Sequence, residues 1–260
     1  MVEKPLICID FDGVLCDSVL ECFVSSWIGF FHLYRKERPM SVSLEEMETF
    51  RSYRPYIRSG EDFIILQECI FKKVQLTSQD DFDRVRSALT EETIQTYRDH
   101  FYSARTKLLE EERITWLRLN PLFPQVSGFI DRVALCDQSH IISTKKVEFI
   151  AEVLQASGIS WPLERIHCSG DEQKPAFIKK IMDKTDYNRA LFFDDQIDHF
   201  KSNNREQNAV ITGYLPVWGY IKKEWLTREV LAPLGVKAID AEQFYELMTQ
   251  YCSGFNTEQI

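Results

Sequence analysis

The chain has 260 residues, enough for one large domain or two modest ones at roughly 100–200 residues each. Hydrophobic residues make up 44% and charged residues 27%, proportions that supply a real core and exclude a disordered or low-complexity chain. The formal charge of −9 argues against a nucleic-acid binder, whose affinity comes from cationic contacts to phosphates. No apolar run approaches the ~20 residues of a membrane-spanning helix, and Met1–Pro5 carries no signal-peptide pattern. The seven cysteines are an odd count with no C-x-x-C pair, and several lie in apolar runs where a reduced thiol packs as a small hydrophobe. We therefore expect a reduced, cytoplasmic protein without structural zinc.

In chain order, Leu6–Ile9 is an apolar run of strand length. From about Val19 to Asn120 the character changes: Leu20–Leu33, Leu44–Tyr53, Asp62–Val74, Asp80–Ala88 and Thr90–Leu117 carry helical periodicity and predict an all-helical segment. Asn120-Pro121-Leu122-Phe123-Pro124 reads as a hinge, because each proline disfavours helix in the residue before it. Strand-like runs then return at Val133–Cys136, Ile141–Ile142, Arg165–Cys168, Ala190–Phe193, Ala209–Ile211 and Lys237–Ile239. They alternate with helical patterns at Lys146–Ala156, Pro175–Lys184 and Ala241–Tyr251. Such alternation predicts an α/β fold with a doubly wound parallel sheet covered on both faces. The expected organisation is an α/β core of residues 1–18 and 121–260, with residues 19–120 inserted as a helical domain.

Two strand ends carry the chemistry. In Leu6–Ile9 followed by Asp10-Phe11-Asp12-Gly13, a buried strand runs into two carboxylates spaced i, i+2, on one side of an extended chain. Gly13 lets the backbone turn close to a ligand. In Ala190–Phe193 followed by Asp194-Asp195, a second apolar strand ends in adjacent carboxylates. Open parallel sheets bind ligands beyond the carboxyl ends of their strands, so both runs can supply acids to one rim. Like charges about 4 Å apart repel by ~4 kcal/mol at an effective dielectric near 20, which a cation relieves; oxygen-only donors suit Mg²⁺.

The segment Asp10-Phe11-Asp12-Gly13-Val14-Leu15-Cys16-Asp17-Ser18 resembles the first motif of the haloacid dehalogenase (HAD) superfamily of phosphohydrolases. Ile141-Ile142-Ser143-Thr144-Lys145 is similar to its second motif, with either Ser143 or Thr144 as the hydroxyl residue. Lys174 before Pro175 resembles the third-motif lysine, a role Lys145 can also take, and Phe193-Asp194-Asp195 resembles the acidic fourth motif. The insert resembles a C1-type helical cap in position and character, and Trp218-Gly219-Tyr220 is similar to a segment found after the fourth motif.

What the resemblance implies is a Mg²⁺-dependent phosphatase acting on a small phosphorylated metabolite, monomeric or homodimeric. Asp10 would be the nucleophile and Asp12 the acid and base. Ser143, Lys174 and Gly13 would bind phosphate, and Asp10, Asp12, Asp194 and Asp195 would form the metal shell. An aspartate two residues after the nucleophile marks the phosphatases; a departing halide needs no proton, so the dehalogenase activity is disfavoured. The competing readings are a phosphomutase of β-phosphoglucomutase type and a non-catalytic HAD-fold binding protein. Tyr53, Arg54, Tyr56 and Arg58 either select the substrate from the cap or form a solvated face of it. The five histidines, His199 included, have no metal-ligand spacing and read as surface or half-buried residues.

Overall fold

The computed structural model describes residues 4–35, 42–201 and 209–252. It divides into two compact units, Met1–Asp17 with Leu122–Ile260, and Ser18–Pro121. Among the described residues no helix is long and apolar enough to cross a membrane.

The first unit is built on a six-stranded sheet of β1 (Leu6–Ile9), β2 (Ser139–Ser143), β3 (Ile166–Cys168), β4 (Ala190–Phe193), β5 (Ile211–Pro216) and β6 (Val236–Ile239). The order is β3-β2-β1-β4-β5-β6 and every pairing is parallel. β1 and β4 are buried at every residue, which explains why Leu-Ile-Cys-Ile and Ala-Leu-Phe-Phe are unbroken apolar runs rather than alternating ones. The chain winds outward from β1 through β2 to β3, then returns to the other side of β1 with β4. The crevice at the carboxyl ends of β1 and β4 is therefore the switch point of the sheet. Ile9 pairs with Phe193, so Asp10 and Asp194, the next residue on each strand, come level with each other.

The chain departs from its sequence pattern at several points. Val133–Cys136 is not a strand: a short helix over Ile130–Ala134 buries Ile130, Val133 and Ala134, a helical i, i+3, i+4 stripe. Cys136 follows it, with its N–H donated to the Val133 carbonyl. β5 begins only at Ile211, the last residue of the run Ala209–Ile211, and continues to Pro216. Cys136 and Cys252 form a disulfide across 116 residues with their Cα atoms 5.5 Å apart, so the cysteines are not all reduced. Each cysteine is buried, and the helix Ala241–Tyr251 brings the second beside the first; no local spacing signals that proximity. Cys8, Cys16, Cys22, Cys69 and Cys168 form no disulfide.

The second unit contains α1 (Val19–Leu33), α2 (Leu44–Tyr53), α3 (Asp62–Phe71), α4 (Gln79–Ser87), α5 (Glu91–Glu111) and α6 (Arg113–Arg118). Ser43 and Glu46 close a capping box on α2, and Thr90 accepts from the Thr93 N–H at the start of α5. α3 stops short of the expected Val74 because Lys73 turns left-handed (φ 56°) and the Val74 N–H closes on the Cys69 carbonyl. The long helix expected over Thr90–Leu117 breaks at Glu112 (φ −133°, ψ 46°), after which Trp116 is fully buried. Phe50, Phe63 and Phe101 stack through the centre of this unit. Beside them Arg105 donates to both oxygens of Glu21 at 2.9 and 2.7 Å, a bidentate pair sealed from solvent.

Candidate active site

The site starts where β1 ends. Asp10 donates its N–H to the Phe193 carbonyl at 2.8 Å, continuing the ladder, while its own Oδ1 accepts the Phe11 N–H at 2.7 Å. The chain then turns tightly: the N–H groups of Leu15 and Cys16 both donate to the Phe11 carbonyl at 2.9 Å. Gly13 sits at φ 89°, a left-handed conformation that favours glycine, and a β-carbon there would collide with the Asp195 carboxylate. Gly219 is confined from the other side, where a β-carbon would lie 2.6 Å from the Gly13 carbonyl.

Lys174 opens the helix Lys174–Met182, with Pro175 fixing the first turn. Its ammonium lies 2.8 Å from Asp10 Oδ2 and 2.7 Å from Asp194 Oδ2 and is almost wholly buried. Asp194 also accepts the Gln196 N–H at 2.8 Å, and both its oxygens lie 3.0 Å from His199 Nδ1. Burial pushes the Asp194 carboxyl up, but His199 and Lys174 outweigh it and hold the group below the ordinary carboxylate range. Asp10 goes the other way: burial raises it, the Asp194 charge adds to that, and Lys174 recovers only part. The two carboxylates sharing one lysine are thus pushed apart in acidity. Lys174 itself is raised; burial opposes its charge, and the two carboxylates more than restore it.

The remaining predicted residues fall around this centre. The Asp12 side chain meets a second lysine: Lys145 Nζ donates to its Oδ1 at 3.0 Å. Ser143 is the last residue of β2, buried, and its Oγ accepts the Lys145 N–H at 3.3 Å, while Thr144 lies one residue beyond the strand and is half-buried. Asp195 turns away from Asp194: its Oδ2 accepts the Tyr220 N–H at 2.9 Å against Gly13 and Gly219. The Trp218-Gly219-Tyr220 segment backs the first loop, with Trp218 Nε1 donating to the Val14 carbonyl at 3.0 Å and Tyr220 Oη to Asp17 Oδ1 at 2.7 Å.

One functional candidate escaped the sequence reading. Asp10, Asp194 and His199 offer ligand atoms that all lie within 4.8 Å of one another. His199 follows Asp194 by five residues in a 3₁₀ turn over Ile197–Phe200, a spacing that carries no recognisable signal. The Arg/Tyr cluster of the helical unit is no solvated face: Arg54 and Tyr56 are buried, and Arg58 forms a two-pronged pair with Asp83 at 2.6 and 3.0 Å.

No protein-family model matches the chain, and no curated protein matches it. Solved structures do. A predicted phosphatase from Clostridium acetobutylicum superposes with a TM-score of 0.60 at 12% identity, over 95% of this chain and 99% of that one. A predicted phosphoglycolate phosphatase from Haemophilus somnus gives 0.58 at 14% identity, over 95% and 99%. A HAD family hydrolase from Deinococcus radiodurans, solved with bound phosphate and sodium, gives 0.51 at 13% identity, over 96% and 97%. The chain therefore has the HAD-type fold along nearly its whole length.

Proposed function

We propose that the protein is a Mg²⁺-dependent phosphomonoester hydrolase acting on a small phosphorylated metabolite through an aspartyl-phosphate on Asp10. The observation that carries this reading is the meeting of Asp10, Lys174 and Asp194 at the switch point, with Lys174 2.8 and 2.7 Å from the two carboxylates. The names borne by the structural neighbours, phosphatases and a hydrolase holding phosphate, support the same chemistry.

The carboxylate oxygen of Asp10 attacks phosphorus, forming an acyl phosphate as the bond to the substrate oxygen breaks. Asp12, two residues on, gives its proton to the leaving alcohol. It then takes a proton from the water that attacks the acyl phosphate, releasing phosphate and restoring Asp10. Lys174 offsets the charge of Asp10 and presents its ammonium to the phosphoryl oxygens, with the Ser143 hydroxyl beside them. The buried, hard-oxygen pair Asp10 and Asp194 fits Mg²⁺, which, held there with the Asp12 carbonyl, would neutralise charge on the phosphoryl group. His199 fixes the orientation of Asp194, and Asp195 braces the Gly13 turn. The helical unit Ser18–Pro121 is assigned the part of a substrate-selecting C1-type cap.

The test is phosphate release from p-nitrophenyl phosphate by the purified protein with Mg²⁺, with chelator, and as Asp10→Asn. We expect release that needs Mg²⁺ and is lost in the variant. Near-wild-type turnover by Asp10→Asn would refute the covalent route. Undiminished release in chelator would refute the metal role.

A further inference from the structure

The lysine beside Asp12 is unused by the chemistry above. Lys145 lies two residues past the end of β2, and its side chain is 1% exposed, as deeply buried as that of Lys174. Its neighbour Lys146 is exposed, so this stretch does not bury lysines indiscriminately. A buried ammonium is costly unless paired, and Lys145 is paired at 3.0 Å with Oδ1 of Asp12, whose own side chain keeps 15% of its surface in solvent. Its charge also lies 5.5 Å from the centre of the Phe11 ring, within cation–π range. Its backbone N–H is tied to Ser143 Oγ. The lysine thus links the end of β2 to the loop that leaves β1.

We propose that Lys145 is a positioning residue that holds the Asp12 carboxyl in line for proton transfer; this rests on the hydrolase reading given above. Asp12 stands on a loop, where a carboxyl can rotate about two side-chain bonds. Pinning one oxygen to an ammonium anchored at a strand end fixes the plane of the group. Proton transfer requires an approach of about 2.6–3.2 Å between heavy atoms, so a carboxyl that wanders by an ångström loses much of its effect. In the first half-reaction the substrate O–P bond breaks and the departing oxygen takes the Asp12 proton. Lys145 exchanges no proton and touches no substrate in this role.

The inference separates from simple structural support, and from direct phosphate binding, by its dependence on the leaving group. p-Nitrophenolate departs without protonation, whereas unsubstituted phenolate benefits from it. We expect Lys145→Met to lower kcat/KM for phenyl phosphate by about 10- to 100-fold, part of the range open to general acids, and for p-nitrophenyl phosphate by less than about threefold. Placed on an Asp12→Ala background, Lys145→Met should change neither value, since a residue acting through Asp12 has nothing left to act on. Equal losses on both substrates, an undiminished effect without Asp12, or no loss at all would each overturn the proposal. Should Lys145→Met fail to fold, as judged by its melting curve, Lys145→Gln, which keeps an N–H donor, undergoes the same comparison. There a leaving-group-independent result is equally fatal. Wild-type protein that releases phosphate from neither ester would instead refute the hydrolase reading itself.

Discussion

Replacing Lys174 with methionine keeps the apolar stem and removes the charge between Asp10 and Asp194. At 2.8 and 2.7 Å each attraction is worth about 6 kcal/mol at an effective dielectric of 20. The two carboxylates, with ligand oxygens within 4.8 Å, then repel by about 3.5 kcal/mol or more. Desolvation of the ammonium, no longer incurred, cancels much of this. The net cost of breaking a buried pair is about 3–5 kcal/mol, because one partner is left charged and dry. For a chain of this length that corresponds to a fall in Tm of about 6–20 °C. The assay is thermal unfolding in chelator, comparing wild type, Lys174→Met and Lys174→Met/Asp194→Asn. The double variant carries one fewer orphaned charge and should regain part of the loss. Mg²⁺ should stabilise Lys174→Met more than the wild type, by linkage to the unpaired acids. A fall below about 2 °C, or a double variant no more stable than the single one, would refute the electrostatic argument.

Arg105→Met should destabilise the helical unit by about 3–5 kcal/mol in urea unfolding, since it leaves Glu21 buried without its two-pronged partner; adding Glu21→Gln should recover part of that. The stacked rings of His140 and His167 give an acid limit to stability. Burial pushes both imidazoles down, His140 to about 4, against 6.5 in the unfolded chain. The unfolded state therefore takes up a proton that the folded state refuses. Stability is complete above about pH 6.5 and declines as pH falls toward 4, by at most about 1.4 kcal/mol per pH unit and less for a half-buried ring. His140→Phe should flatten that slope in pH-dependent melts, and an unchanged slope would assign the loss elsewhere. Thiol titration of unfolded, unreduced protein should count five free cysteines and, after reduction, seven. Finding seven before reduction would show that Cys136 and Cys252 are not joined. Reduction should cost about 2–4 kcal/mol, given the long loop closed.

The parallel sheet was legible at its centre because β1 and β4 are buried at every residue and therefore read as unbroken apolar runs between helical patterns. The acidic runs at Asp10 and Asp194 were legible for the same reason, since a carboxylate directly after such a run stands out. What could not be read was adjacency. That β4 lies beside β1, level at Ile9 and Phe193, is a property of strand order, which no local pattern encodes. The division of labour between lysines is of the same kind: sequence order left Lys145 and Lys174 as alternatives, whereas the fold sets Lys145 on Asp12 and Lys174 between Asp10 and Asp194. His199 and the Cys136–Cys252 disulfide depend on contacts across a turn and across 116 residues. Val133–Cys136 was misread for a different cause, because a run of four apolar residues fits one helical turn as well as a strand.

The central place of β1 has a consequence for how the chain is made. Leu6–Ile9 leaves the ribosome well before either of its partners, since one neighbouring strand begins at Ser139 and the other at Ala190. At about 5–20 residues per second, roughly 6–26 s pass before the earlier of these has been synthesised. Throughout that interval four residues destined for complete burial have no ladder to join, while the helices of the insert, whose contacts are local, are free to form. A strand at the centre of the sheet thus waits for neighbours encoded far downstream of it.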